Sequence, residues 1–336
     1  MPSLSLANME IMEHTFNYIS SHLLRVDALL VIAAWLSMLV GAIIYYVWQH
    51  PAPNKGFKGF FVYVFPKELW QHPSCRRDYW FAVINRIVEP ITIGVVLITT
   101  STVSFAIYYA LTAQFGPHAE GNPHIAVWVA ITVLVIMVRD FFVWFSHYLE
   151  HKIPVLWQIH AVHHSAEFLN PLSNRRHHPL QLVWEGGLSN VAAGLTLGTT
   201  SYIFHINIID TALMGVDAYF ICDVLSFYQL RHSHIPLHYG KWEKWFLSPR
   251  SHQLHHSYET QDWDKNFGLL TSIWDRLFGT MNVRPADYTY RLGLQSKYQK
   301  DYDTVLKFYT TPMINISHIL LDKMPKEPHS TNTTGS

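Results

Sequence analysis

From Ala28 to Trp48 the chain runs for 21 residues without a charged side chain. Wound as a helix at 1.5 Å per residue, that stretch reaches about 32 Å, enough to cross the hydrocarbon core of a bilayer. A cleaved signal peptide is the competing reading. The acidic Glu10 and Glu13 upstream, the excess apolar length and the missing small-residue cleavage pattern argue against it. Two further uncharged runs follow, Pro90 to Leu111 and Ile125 to Val138, the latter continuing through Arg139, Asp140 and a Phe-Phe-Val-Trp-Phe run toward His147. The stretch from Leu180 to Leu230 is apolar but broken by Glu185, Asp210, Asp217 and Asp223. It reads as a helical hairpin turning near His205-Ile206-Asn207.

Composition agrees with a membrane. Charged residues make up 14% of the 336 residues, against roughly 25% in soluble domains. Lys+Arg and Asp+Glu balance at 24 each, which excludes a basic nucleic-acid footprint. Two cysteines, Cys75 and Cys222, supply neither a disulfide framework nor a Cys-based zinc site. Lys55, Lys58, Lys67, Arg76 and Arg77 crowd the loop after the first run, whereas Thr112 to His124 carries no Lys or Arg. The first loop is therefore expected in the cytoplasm and the second across the membrane. The expected fold is an all-α integral membrane protein of four to five membrane-embedded helices under a cytoplasmic, helical, histidine-rich cap. The segments are 1–138 (N-terminal spans), 139–282 (catalytic unit with the hairpin), 283–324 (cap extension) and 325–336 (disordered tail).

The 22 histidines nearly equal all the acids together. Three sets stand out: His147 with His151, His160 with His163 and His164, and His252 with His255 and His256. Spacings of three and four share one helix face, so each set can aim its rings at one point. Imidazole is the commonest side-chain metal ligand. Eight rings exceed the four that one zinc ion takes, so two ions fit the number better. His14, His22, His50, His72, His118, His124, His205, His318 and His329 stand singly and read as ordinary surface or hydrogen-bonded residues.

The order H-x3-H, H-x2-HH, H-x2-HH resembles the fatty acid hydroxylase/sterol desaturase superfamily of membrane di-iron oxygenases, most of all its bacterial sterol desaturase-like members. So do the surrounding words: Arg176-His177-His178-Pro179, Arg231-His232-Ser233-His234, Ser248-Pro249-Arg250-Ser251-His252, Asp264-Lys265-Asn266-Phe267-Gly268 and Trp274-Asp275-Arg276. The likeness covers Asp140 to Thr280. It implies that His147, His151, His160, His163, His164, His252, His255 and His256 bind two iron ions, with His178 and His232 completing the set. His234 and His238 are weaker candidates, and His177 reads as the plain neighbour of His178. Where the family carries an acid after the His-Pro word, this chain has Gln181, and Glu185 is the available substitute.

Asp140 and Glu150 are placed to hydrogen-bond imidazole N–H groups in the catalytic machinery; ion pairs with Arg139 or Lys152 are the equal alternative. Asp264 and Asp275 are expected to hold the cap together through Arg250 or Arg276. The implied activity is O2-dependent hydroxylation, or desaturation, of a lipid such as a sterol, fatty acyl chain or alkyl ether. No dinucleotide fingerprint, haem motif or iron–sulfur cysteine set occurs. Electrons are therefore expected from a cytochrome b5-like or ferredoxin-like protein or a reduced small molecule. The expected location is a bacterial inner membrane rather than the endoplasmic reticulum. Two other readings compete: a membrane zinc hydrolase, which would normally carry H-E-x-x-H, absent here, and a metal transporter or bis-His haem protein. Transport would put ionisable residues near mid-span, and haem leaves most of the histidines unexplained.

Overall fold

The computed structural model describes residues 31–50, 56–94 and 99–321. Residues 28–30 of the first apolar run, 95–98 of the second, Lys55 and the expected disordered tail at 325–336 lie outside them. Among the described residues the chain is helical, and extended backbone pairs only at two isolated bridges, Phe246–Thr271 and Ser257–Leu292. The elements are α1 (Val31–Gln49), α2 (Phe57–Val64), α3 (Lys67–Gln71), α4 (Pro73–Gly94), α5 (Thr100–Phe115), α6 (Ile125–Lys152) and α7 (Pro154–His164). They continue with α8 (Pro179–Ile203), α9 (Ile208–Leu225), α10 (Pro249–His255), α11 (Ile273–Leu277), α12 (Ser296–Gln299) and α13 (Val305–Leu320).

Among the described residues two helices, α1 and α6, are long and apolar enough to cross a membrane. Their outer faces carry exposed Val31, Trp35, Leu39, Ile43, Val129 and Val133, a surface suited to lipid rather than water. The expected span from Pro90 to Leu111 is not one helix. Thr99 Oγ1 accepts the Thr102 N–H while the Thr99 N–H donates to Thr102 Oγ1, a capping box that starts α5 afresh. With 16 residues, α5 is about 24 Å long, short of the hydrocarbon thickness.

The apolar core between the long helices joins Ile131 and Val135 of α6 to Ala193 and Leu197 of α8. Helix α8 also lies against α5, and glycine makes the approach possible. A Cβ on Gly194 would meet Val103 Cβ at 2.5 Å, and one on Gly198 would meet the Ser104 carbonyl oxygen at 2.5 Å. The chain reverses between α8 and α9 at residues 204–207, where Asn207 accepts the Ile209 N–H and caps α9. That turn joins the α5–α6 loop: the Gly121 N–H donates to His205 O at 2.7 Å and Asn207 Nδ2 to Glu120 Oε1 at 3.0 Å. From this end His147 lies 22 residues beyond Ile125 along α6, about 33 Å. The histidines therefore sit at the opposite end of the bundle.

Candidate metal centre

Helix α6 buries Asp140, Trp144, His147 and His151 on one stripe. Ile153 is extended and Pro154, which has no N–H to continue the helix, opens α7. The chain folds back at once, and α7 brings His160, His163 and His164 against the end of α6. Ser248 caps α10 by accepting the Ser251 N–H, Pro249 follows, and the helix adds His252 and His255, with His256 as its C-cap. His232 comes from the turn after α9.

These nine buried histidines form two groups. The ligand atoms of His147, His151, His160, His164 and His255 all lie within 4.8 Å of one another, and so do those of His163, His232, His252 and His256. The groups touch, with the His164 and His256 ring centroids 4.5 Å apart. Phe267 packs against His147, His151 and His255, and Trp157 against His151 and His164, screening the first group from water.

Tautomers decide what the first group can hold. His147 Nδ1 donates to the Phe267 carbonyl at 2.9 Å, and His255 Nδ1 donates to that of Lys265 at 2.7 Å. Each ring must therefore turn an unprotonated Nε2 inward. His160 Nδ1 lies 3.0 Å from Glu150 Oε2 and 2.7 Å from the Gln181 amide, and His151 Nδ1 lies 3.3 Å from Asp264 Oδ1. Lone pairs crowded into one buried space repel unless a ring takes a proton or a cation sits among them. Protonation is disfavoured: burial first, then the neighbouring rings His147, His151 and His256, hold His255 well below the ordinary imidazole range. A metal ion among these nitrogens would relieve the repulsion, and the group is arranged to hold one.

In the second group, Nε2 atoms approach at 3.0 Å (His232–His163), 3.1 Å (His232–His256) and 3.3 Å (His252–His232 and His256–His252). Two imidazole nitrogens at right angles on a metal about 2.1 Å away would be roughly 3 Å apart. Burial, then His177, His256 and His232, hold His163 well below the ordinary range, which leaves a neutral ring able to offer a lone pair to a metal ion. The Nδ1 atoms of all four make no hydrogen bond among the described residues.

Several expected roles change. His178 does not join either group: its Nδ1 accepts the Leu180 N–H as the N-cap of α8, where it satisfies an orphan helix donor. His177, expected to be plain, lies with its ring 4.4 Å from that of His163. Asp140 touches no imidazole and no Arg139 partner; it accepts from Leu270 N (3.0 Å), Thr271 Oγ1 (2.6 Å) and Trp274 Nε1 (3.0 Å), tying the cap to α6. Asp264 faces His151 and pairs with Lys152 Nζ at 2.6 Å instead of an arginine. Asp275 does hold the cap, but by accepting from Phe267 N, Gly268 N, Trp144 Nε1 and Thr280 Oγ1, again without an arginine. Arg250 and Arg276 donate to backbone carbonyls. His234 Nε2 donates to Tyr63 O at 2.7 Å, and the His238 backbone bonds Gln49, so both fasten the cap to the N-terminal helices. A buried knot of Arg176 with Asp78, Ser74 and Ser165 was not foreseen; it locks the loop before α8 to α4. Its signal in the sequence was the charge of Arg176 inside the Arg-His-His-Pro word.

Glu185 lies with Glu150 and His160 in a third group, whose ligand atoms fall within 4.8 Å of one another. Beside it opens a cavity of ≈ 450 Å³ whose wall includes His177 and Glu185.

A sequence model described as fatty acid hydroxylase matches residues 132–280. Over 170 residues the chain is 27% identical to the ornithine lipid hydroxylase OlsE of Rhizobium tropici, covering 51% of this chain and 47% of that protein. It is 25% identical to the alkylglycerol monooxygenase of Caenorhabditis elegans over 155 residues (46% and 28% covered) and 26% identical to the human one over 153 residues (46% and 31% covered). The matched part thus spans less than half the length of each of these relatives. No solved structure matches.

Proposed function

We infer from the match over residues 132–280 that this chain belongs to the fatty acid hydroxylase/sterol desaturase superfamily and is a membrane lipid oxygenase. It uses two iron ions and O2 to hydroxylate a C–H bond of a lipid. The observation that carries this reading is the double convergence of neutral, buried imidazoles, five in one group and four in the other. Bound iron would supply O2 activation and removal of a hydrogen atom from an unactivated C–H bond, chemistry that no side chain performs.

The protein's share is to hold, orient and enclose. Backbone carbonyls of Phe267 and Lys265 fix the His147 and His255 rings, and Glu150 and Asp264 stand behind His160 and His151. Neutral ligands leave the ions' charge uncompensated, so these carboxylates, Glu150 buried and Asp264 partly exposed, also offset it. Substrate enters from the bilayer, and an external donor of the cytochrome b5, ferredoxin or small-molecule type provides electrons. The active site faces the cytoplasm of a bacterial inner membrane. The substrate is a lipid of the kind its relatives are named for, an amino lipid or an alkyl ether; sterol and acyl substrates, and desaturation by loss of a second hydrogen, are the finer alternatives.

Two measurements test the reading. Purified protein should contain about two irons per chain, one for each group; a single zinc or a Soret band would contradict it. Lipid profiles of cells making the native chain should contain an oxidised lipid missing with His163→Ala/His164→Ala. Identical profiles at equal expression would overturn the oxygenase reading.

A further inference from the structure

The cavity beside the histidines has charged groups at its end away from the metal centre. Toward the histidines stand His177, against His163, and Glu185, grouped with Glu150 and His160. At the other end α6 contributes Arg139, and α9 contributes Tyr219 and, one turn on, Asp223. Arg139 lies eight residues before His147, about 12 Å along the helix. Val143, Leu182 and Leu269 line the stretch between with apolar surface.

Several polar atoms at that end make no hydrogen bond among the described residues, although Asp223 also feels the charge of the buried Arg231. Tyr219 is 5% exposed, and its hydroxyl makes no hydrogen bond among the described residues. The same holds for Arg139 Nε and Asp223 Oδ1, both shielded from solvent. The Arg139 guanidinium carbon lies 4.8 Å from the centre of the Tyr219 ring, so the cation is braced beside the phenol rather than paired with the carboxylate. Buried polar atoms without partners are costly, and ionisable groups between membrane helices are kept where a ligand or an ion meets them. Arg175 and Glu89, also on the wall, add one more charge of each sign.

We propose that this cavity binds the headgroup of a zwitterionic amino lipid, its anionic group on Arg139 and Tyr219 and its ammonium on Asp223. A purely anionic headgroup would set like charge against Asp223, and a neutral alcohol would bring no countercharge to Arg139. The headgroup lies at the Arg139 end, and the carbon to be oxidised lies at the His177 end, roughly 12 Å away along α6. The position of that carbon rests on the oxygenase reading; the headgroup site does not.

The test is binding to the purified full chain, read by tryptophan fluorescence without O2, for three single-chain lipids of equal acyl length. The probes are lysophosphatidylethanolamine (zwitterionic), its N-acetyl derivative (anionic) and monoacylglycerol (neutral). The native protein should bind the first about tenfold more tightly than the other two, the size expected for one charge-assisted contact. Asp223→Asn should erase the preference over the N-acetyl lipid, and Arg139→Gln should weaken both charged lipids while sparing monoacylglycerol. Equal binding of all three by the native protein overturns the proposal, however the variants fold. Selective binding without any oxidised product on adding iron, O2 and reductant would uphold the headgroup site and count against the oxygenase reading. Oxidation of monoacylglycerol as readily as of lysophosphatidylethanolamine, without selective binding, would do the reverse.

Discussion

His178 gives its Nδ1 to the Leu180 N–H at the start of α8, while His177, one residue earlier, lays its ring beside His163. Two adjacent imidazoles thus serve a helix end and a cavity wall. The distinction has a measurable consequence. His178→Ala should cost about 1 kcal/mol through the lost cap, seen as a lower melting temperature, with iron per chain unchanged. His163→Ala should instead remove iron from the second group, measured by metal analysis; loss of iron in the His178 variant would return that residue to the ligand set. The clustering of the histidines was legible because spacings of three and four force rings onto one face. A neighbouring pair carries no such constraint, since only the position of the helix start decides which ring turns where. Asp140 was misread for a different reason: the donors it meets, Leu270, Thr271 and Trp274, lie about 130 residues away, beyond the reach of local spacing.

Hydropathy located α1 and α6, and the hairpin of α8 and α9 turns at the polar break the sequence offered. It failed at α5, where the uncharged run continues but the Thr99–Thr102 capping box begins a new helix; hydropathy counts apolar residues and does not register backbone donors. The hairpin's packing was equally hidden, because Gly194 and Gly198 acquire meaning only once α5 is laid against them. With a side chain at Gly198 directed at the Ser104 carbonyl at 2.5 Å, neither helix can yield without losing its own hydrogen bonds. Gly198→Val should therefore destabilise the protein by about 1–3 kcal/mol, lowering the melting temperature in lipid or detergent. An unchanged melting temperature would mean that α5 and α8 are not held this closely.

At the scale of the whole molecule, two independent lines bear on which way it sits in the bilayer. The first is charge: Lys58, Lys67, Arg76 and Arg77 precede α5, Lys241, Lys244 and Arg276 lie in the cap, and the α5–α6 loop has neither Lys nor Arg. The second is geometry. The α5–α6 loop and the α8–α9 turn are bonded to each other through Gly121 and His205, and α6 separates that end from the histidines by about 33 Å, close to the hydrocarbon thickness. A soluble helical protein would need neither the charge asymmetry nor this separation, whereas an oxygenase fed from the bilayer needs its metal ligands at the basic end. Gly121→Cys and Lys244→Cys test the arrangement, because both positions are exposed. In intact cells an impermeant maleimide should label the cysteine at 121 and leave the one at 244 unmodified until the membrane is opened. Labelling of both from one side would place the basic and loop ends in the same compartment, and with them the argument that α6 spans the membrane would fail.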